Sequence, residues 1–301
     1  MCARKMHADE VHTDETVVRA LLAAQFPHRA HLPVAPVPSS GTDNAIYRLG
    51  DDMAVRLPRV ESAAGQVDKE QEWLPRLAPH LPLAVPAPLA HGASGAEYPW
   101  HWSIVPWLDG ENPTLERLAD PCRAAIDLAR FLAALQRIDP AGGPPPGAHN
   151  FGRGAPLAQR DRATREAIAA LAGIVDIAAV TAAWDTALEA PAWHGAPVWI
   201  HGDLSAGNLL AVDGRLSAVL DWGGLGVGDP ACDLMIAWTL FTGESRQAFR
   251  ATLGVDDATW TRGRGWALSW ALIFIPYYLH TNTAGVTDAR HTIAEVLADH
   301  E

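Results

Sequence analysis

The dipeptide Asp213-Gly214 constrains the local geometry of this chain more than any other pair. It stands between two short apolar runs, Leu209–Val212 and Leu216–Leu220. Asp-Gly in that setting signals a two-residue hairpin turn. Upstream, the run Val198-Trp199-Ile200 delivers a polar loop holding His201, Asp203 and Asn208; downstream, the return strand ends at Asp221. The hairpin folds Asp221 back toward that loop, so three oxygen-bearing side chains far apart in sequence can converge.

The surroundings of this β-rich insert differ along the chain. Residues 14–26 have apolar positions at helical spacing, with Thr13 or Asp14 as the cap. Val34–Pro38, Ala45–Leu49 and Met53–Leu57 are short β-like runs broken by turn-forming Ser39–Asp43 and Gly50–Asp52. A helix follows over 67–78, with Trp73, Leu74 and Leu77 on one face, then a proline-rich connection and a strand pair ending at Trp102–Val105. Beyond Asp109-Gly110 the pattern is mainly helical, over 121–137, 158–172, 176–190 and two or three final helices; residues 141–154 form a loop by composition. A β-rich first third joined to a helical remainder predicts a two-lobed α+β protein with a cleft between the lobes. The boundary falls near 108, with residues 1–108 and 109–301 as the lobes and a connection at 105–110.

Composition excludes several classes. A net charge of −12 over 301 residues argues against nucleic-acid binding and is compatible with a cationic small-molecule substrate. The three scattered cysteines form no CxxC pair and fit a reducing cytoplasm, and no signal peptide is visible. The most apolar run, Trp266–Leu279, is shorter than the ~20 residues of a membrane span and reads as a buried helix.

The converging trio has the composition that phosphoryl transfer requires. One carboxylate must orient the attacking hydroxyl and take its proton; a second carboxylate and an amide oxygen suit a hard ion such as Mg²⁺. Asp203-x₄-Asn208, followed after a hairpin by Asp221-x-Gly223, has the spacing of a kinase catalytic loop and metal-binding turn. Asp203 is thus the candidate base, Asn208 and Asp221 the metal ligands. His201 reads as a loop-orienting residue rather than the base.

The compound pattern His201-Gly202-Asp203-Leu204, Asn208-Leu209-Leu210, Leu220-Asp221-Trp222, Gly228-Asp229-Pro230 and Asp233-Leu234 resembles the aminoglycoside phosphotransferase family of small-molecule kinases. The resemblance implies a protein-kinase-like fold, with a small antiparallel-sheet N-lobe and a larger helical C-lobe. It also implies ATP or GTP as donor, Mg²⁺ as cofactor and a hydroxyl acceptor, first an aminoglycoside-type antibiotic. Macrolide, choline-like, amino-alcohol and sugar acceptors stay open. For Asp229 it implies a structural role, the carboxylate bracing the catalytic loop; Asp233 also reads as structural.

For the nucleotide, the turn at Ser39, Ser40 and Gly41 is a candidate phosphate cover, although alone it is only a hairpin loop. The strand lysine usual in the family is replaced here by Arg56, since the only lysines are Lys5 and Lys69. The family's spacing makes Glu70 the helix partner of Arg56, with Glu72 the alternative. Resemblance further implies purine recognition by the Pro106 carbonyl and the Leu108 N–H, with Val105 facing the base.

Other readings fit less well. Gly223–Gly228 lacks the spacing of a dinucleotide fingerprint, and GxSxG would need glycine at Asp203. A non-catalytic kinase-like binder is the alternative from another class, favoured only by Arg56. Acceptor contacts are sought in the 158–172 segment, with Asp161 and Glu166 to receive ammonium groups, although both otherwise read as exposed helix charges. They are also sought in the final helices, with Trp266, Trp270, Tyr277, Tyr278 and His280, where the aromatic run otherwise reads as core.

Overall fold

Asp14 starts the first helix: its carboxylate accepts from the Val17 N–H at 2.9 Å, and α1 (Glu15–Gln25) follows. The computed structural model describes residues 10–38, 43–279 and 281–300. The chain divides into two compact units, Met1–Pro79 with Ala84–Asp109, and His80–Leu83 with Gly110–Glu301.

The first unit is built on an antiparallel sheet of β1 (Val34–Pro36), β2 (Asn44–Leu49), β3 (Met53–Pro58), β4 (Ala90–Gly92) and β5 (Trp102–Pro106), in the order β1-β2-β3-β5-β4. Alternation along β2 buries Ala45, Tyr47 and Leu49, which join Leu21 and Leu22 of α1 and Trp102 in one core. The helix α2 (Glu61–Leu77) begins six residues before the expected 67. Its first turns bury Ala63 and Gln66, a face too weakly apolar to register as periodicity. Trp73, Leu74 and Leu77 are buried as their spacing predicts.

The second unit contains α3 (Pro121–Gln136), α4 (Asp161–Ala170), α5 (Ile177–Glu189), a short α6 (Ile236–Thr239), α7 (Gly243–Leu253), α8 (Asp257–Tyr278) and α9 (Thr283–Ala298). Between α5 and α6 lie β6 (Val198–Ile200), β7 (Leu209–Val212), β8 (Arg215–Val219) and β9 (Gly226–Gly228), paired antiparallel as β6-β9 and β7-β8. Asp213 and Gly214 both take positive φ, 49° and 72°, as a tight β7–β8 hairpin needs. Trp184, Trp199, Trp222, Trp238 and Trp266 are fully buried and fill the core. Among the described residues no helix is long and apolar enough to cross a membrane.

Candidate active site

β6 ends in a loop that the backbone itself clamps. The N–H groups of His201 and Gly202 donate to the two oxygens of Asp233, at 2.8 and 2.7 Å. Asp233 is fully buried, and burial pushes its carboxyl up from the ordinary value while the Gly202 and His201 N–H groups pull it down. The brace expected of Asp229 therefore belongs to Asp233. Asp229 instead caps Ala231 and is forked by Arg262, Nε at 2.8 Å and Nη2 at 3.2 Å, inside the core. Both carboxylates follow β9 within five residues, and sequence alone does not show which one turns toward His201.

The His201 ring has no nitrogen to spare. Its Nδ1 accepts from the Asp203 N–H at 3.2 Å, so Nε2 carries the proton and donates to the Leu220 carbonyl at 2.8 Å. The imidazole thus links the loop before Asp203 to the strand end before Asp221. A second link runs beside it, the Leu220 N–H donating to the Asn208 carbonyl at 2.7 Å. A Cβ on Gly202, at φ +84°, would stand 2.2 Å from the Gly224 carbonyl, so the two loops cross with backbone against backbone.

The Asn208 amide donates to the Asp203 carbonyl at 2.8 Å and to its carboxylate at 3.3 Å. Both donor hydrogens point at Asp203, which leaves the amide oxygen as the free acceptor. Asp221 sits at φ +55°, uncommon for a residue with a Cβ, and accepts from the Gly223 N–H at 3.4 Å. Asp203 and Asn208 touch directly, and Asp221 is tied to them through Leu220. Hard oxygen donors on Asn208 and Asp221 fit Mg²⁺.

Arg153 reaches this loop from residues 141–154, its Nη2 lying 3.4 Å from Asp203 Oδ1. It also lines a cavity of about 670 Å³ with Phe151, Arg160, Trp270, Phe274 and Tyr277. The late aromatic residues therefore divide: Trp266 is core, whereas Trp270, Tyr277 and Tyr278 line the cavity. The cavity-lining side of α8 starts at Trp270 and continues through Ile273 and Phe274, and no residue of α8 beyond Ile275 is buried. Asp161 and Glu166 are both engaged, Asp161 with Arg165 and Trp184 Nε1, Glu166 with Arg162 at 2.9 Å. Sequence reasoning missed Arg153 and did not single out Arg160 within the 158–172 segment. The glycines flanking Arg153 in Gly152-Arg153-Gly154 were the one available hint.

In the first unit Arg56 on β3 donates to Glu70 on α2, Nη1 to Oε2 at 2.6 Å and Nη2 to Oε1 at 3.4 Å. Glu72 lies on the exposed face with Arg76, 4.0 Å away. Val105 is buried on β5, opposite Ala54. Pro106 faces Met53, and the flanking Trp107 N–H donates to the Asp52 carbonyl at 2.8 Å. Bonded and non-bonded pairs alternate in an antiparallel ladder, so Pro106 occupies a non-bonded position where its missing N–H costs nothing. The Leu108 N–H has no acceptor among the described residues. Ser39, Ser40 and Gly41, like His280, lie outside the described residues.

Solved structures of similar fold cover almost the whole chain. They include the GDP and kanamycin complex of APH(2'')-IIia, 18% identical with a TM-score of 0.73, over 94% of this chain and 99% of that one. ADP-bound aminoglycoside phosphotransferase APH(2'')-Ib is 18% identical with a TM-score of 0.61, over 95% and 97%. Apo macrolide 2'-phosphotransferase MphH from Brachybacterium faecium is 23% identical with a TM-score of 0.59, over 94% and 98%. A search of curated proteins finds no match. At sequence level, residues 34–266 match the phosphotransferase enzyme family APH, and with most of its length inside that match the chain belongs to this family of small-molecule kinases.

Proposed function

We propose that the chain transfers the γ-phosphoryl group of ATP or GTP to a hydroxyl of a small molecule. The observation that carries this reading is the Asp203–Asn208 pair. Asn208 spends both amide hydrogens on Asp203, holding that carboxylate in place and keeping its own oxygen for a cation. Asp203 orients the acceptor hydroxyl and takes its proton as the new O–P bond forms and the bond from the γ-phosphorus to the β–γ bridging oxygen breaks. Asn208 and Asp221 hold Mg²⁺, which offsets charge on the donor phosphates. Arg56, braced by Glu70, grips those phosphates with a planar fork where lysine would offer a point charge. The Pro106 carbonyl and Leu108 N–H meet the base edge on the Val105 side, and Ser39, Ser40 and Gly41 cover the phosphates. The free cysteines Cys122 and Cys232 suit a cytoplasmic setting.

The acceptor expected first, an aminoglycoside, brings several ammonium groups that need carboxylates to receive them. Glu166 is the one carboxylate on the cavity wall among the described residues, and Arg162 already holds it. The rest of the wall is aromatic, aliphatic or arginine. This favours an alcohol with a large apolar surface, as in the macrolide branch, over a polycation.

A panel of aminoglycosides, macrolides, amino alcohols and sugars, incubated with Mg²⁺ and either ATP or GTP, tests the reading by phosphate incorporated into the acceptor. Asp203→Ala should reduce transfer at least about a thousandfold, by analogy with loss of a catalytic base, with nucleotide binding retained. Near-native transfer by that variant would sink the assignment. Nucleotide binding without turnover on any acceptor would favour the non-catalytic alternative.

A further inference from the structure

Arg160 is held in a hydrogen-bonded ring whose proton directions can be worked out. The Thr164 hydroxyl donates to the Arg160 carbonyl at 2.9 Å, which uses its only hydrogen. The 2.7 Å contact between Thr164 and Ser269 is then a bond from Ser269 to Thr164. Ser269 in turn accepts from Arg160 Nε at 2.8 Å, which closes the ring. Thr164 and Ser269 are fully buried, and both are committed to fixing this one guanidinium.

What the ring fixes is a cation without a counter-charge. Among the described residues no carboxylate lies within 4 Å of Arg160, and it lines the aromatic cavity. Its guanidinium lies over the Trp266 ring at 4.7 Å, and Arg153 approaches the same ring at 5.4 Å. The buried Trp266 Nε1–H also has no acceptor among the described residues. Burial, and then the neighbouring Arg153, push Arg160 down to about 10, so it stays cationic at neutral pH. Donors outnumber acceptors on this wall, and holding two guanidinium groups together in partial burial is costly unless an anion joins them.

We propose that the cavity beside Asp203 takes an apolar, ring-bearing alcohol that carries an anionic group, with Arg160 receiving the anion and the aromatic wall receiving the rings. This deepens the acceptor half of the proposed function and rests on it. The ring of Arg160, Ser269 and Thr164 sets the distance between anion and reacting hydroxyl. A planar carboxylate suits the guanidinium fork, and Arg153 is partly engaged by Asp203.

The test is a binding measurement on the intact chain without nucleotide, so that failure of phosphoryl transfer in the acceptor panel leaves its outcome untouched. Three probes of one shape are titrated by NMR: 2-naphthoate, 2-naphthamide and 2-naphthylmethylammonium. Naphthoate should bind at least tenfold more tightly than the ammonium, with the amide between. Arg160→Gln should collapse that order, and Arg160→Lys should keep it. Should Arg160→Gln fail to fold, the wild-type order alone decides. Equal affinities, a tighter ammonium, binding of none of the three, or an unchanged order in Arg160→Gln overturns the proposal. Inorganic phosphate binding in place of naphthoate assigns the arginines to the transferred phosphoryl group and overturns it too.

Discussion

Glu70 is 2% exposed, and its carboxylate is forked by the Arg56 guanidinium. Truncating one partner of so buried a pair leaves the other charge to bear its desolvation. Arg56→Ala should therefore cost about 3 kcal/mol, read from urea unfolding at pH 7, and raise the nucleotide KM. Arg56→Lys should recover part of the stability, because a point charge replaces one of two bonds. A neutral Arg56→Ala would mean that other contacts of Glu70 carry the pair. The strand position of Arg56 was legible from apolar alternation around it. The choice between Glu70 and Glu72 was not a matter of chemistry but of helix phase: two residues apart on a helix, one faces the sheet and the other water. Asp229 and Asp233 pose the same problem within irregular backbone, where no period assigns the face, and there the expected brace fell on the wrong carboxylate.

At the scale of elements, the β7–β8 hairpin was the most legible part, since Asp213-Gly214 specifies its turn and the first two pairs, Val212 with Arg215 and Ala211 with Leu216; the bulge that then shifts the register by one residue had no such signal. Gly214 has a second constraint: a Cβ there would stand 2.7 Å from the Ala119 nitrogen. Gly214→Ala should thus combine left-handed strain with a backbone clash, at least about 2 kcal/mol. It should also lower kcat, since β8 (Arg215–Val219) leads into Asp221 two residues beyond its end. Denaturation and steady-state kinetics on the same preparation check both effects. The loop brace gives a further expectation. Asp233→Asn turns an amide N–H toward a backbone N–H, so it should cost roughly 1–3 kcal/mol and reduce kcat more than it raises either KM. An effect confined to stability would place Asp233 outside the catalytic geometry. The early start of α2 was hidden because alanine and glutamine can be buried on a helix face without looking apolar.

For the whole molecule, ligand linkage is the informative measurement. A non-hydrolysable nucleotide with Mg²⁺, at a hundredfold excess over its Kd, should raise the unfolding free energy by about 2.7 kcal/mol. EDTA or Asp221→Ala should remove the metal-dependent part, and an unchanged gain in EDTA would count against Asn208 and Asp221 as ligands. Running the series with ATP and GTP analogues decides the donor. The division into a β-rich first part and a helical remainder was readable from the change of period near Asp109. The cavity was not. Its wall draws on the 141–154 loop, α4 and α8, and the Arg160 ring closes through Ser269, 109 residues along the chain. Local patterns describe how each helix packs and are silent on contacts between distant helix faces.

Where Gly202 crosses Gly224, no side chain separates the two backbones. Side chains are what usually allow neighbouring segments to slip, by hopping between rotamers, and here there are none. The loop before Asp203 and the turn after Asp221 therefore meet as bare backbone. A Cβ on Gly224 would in turn stand 2.9 Å from the Gly202 carbonyl carbon, so a side chain at either glycine would have to part the two segments that carry the carboxylates.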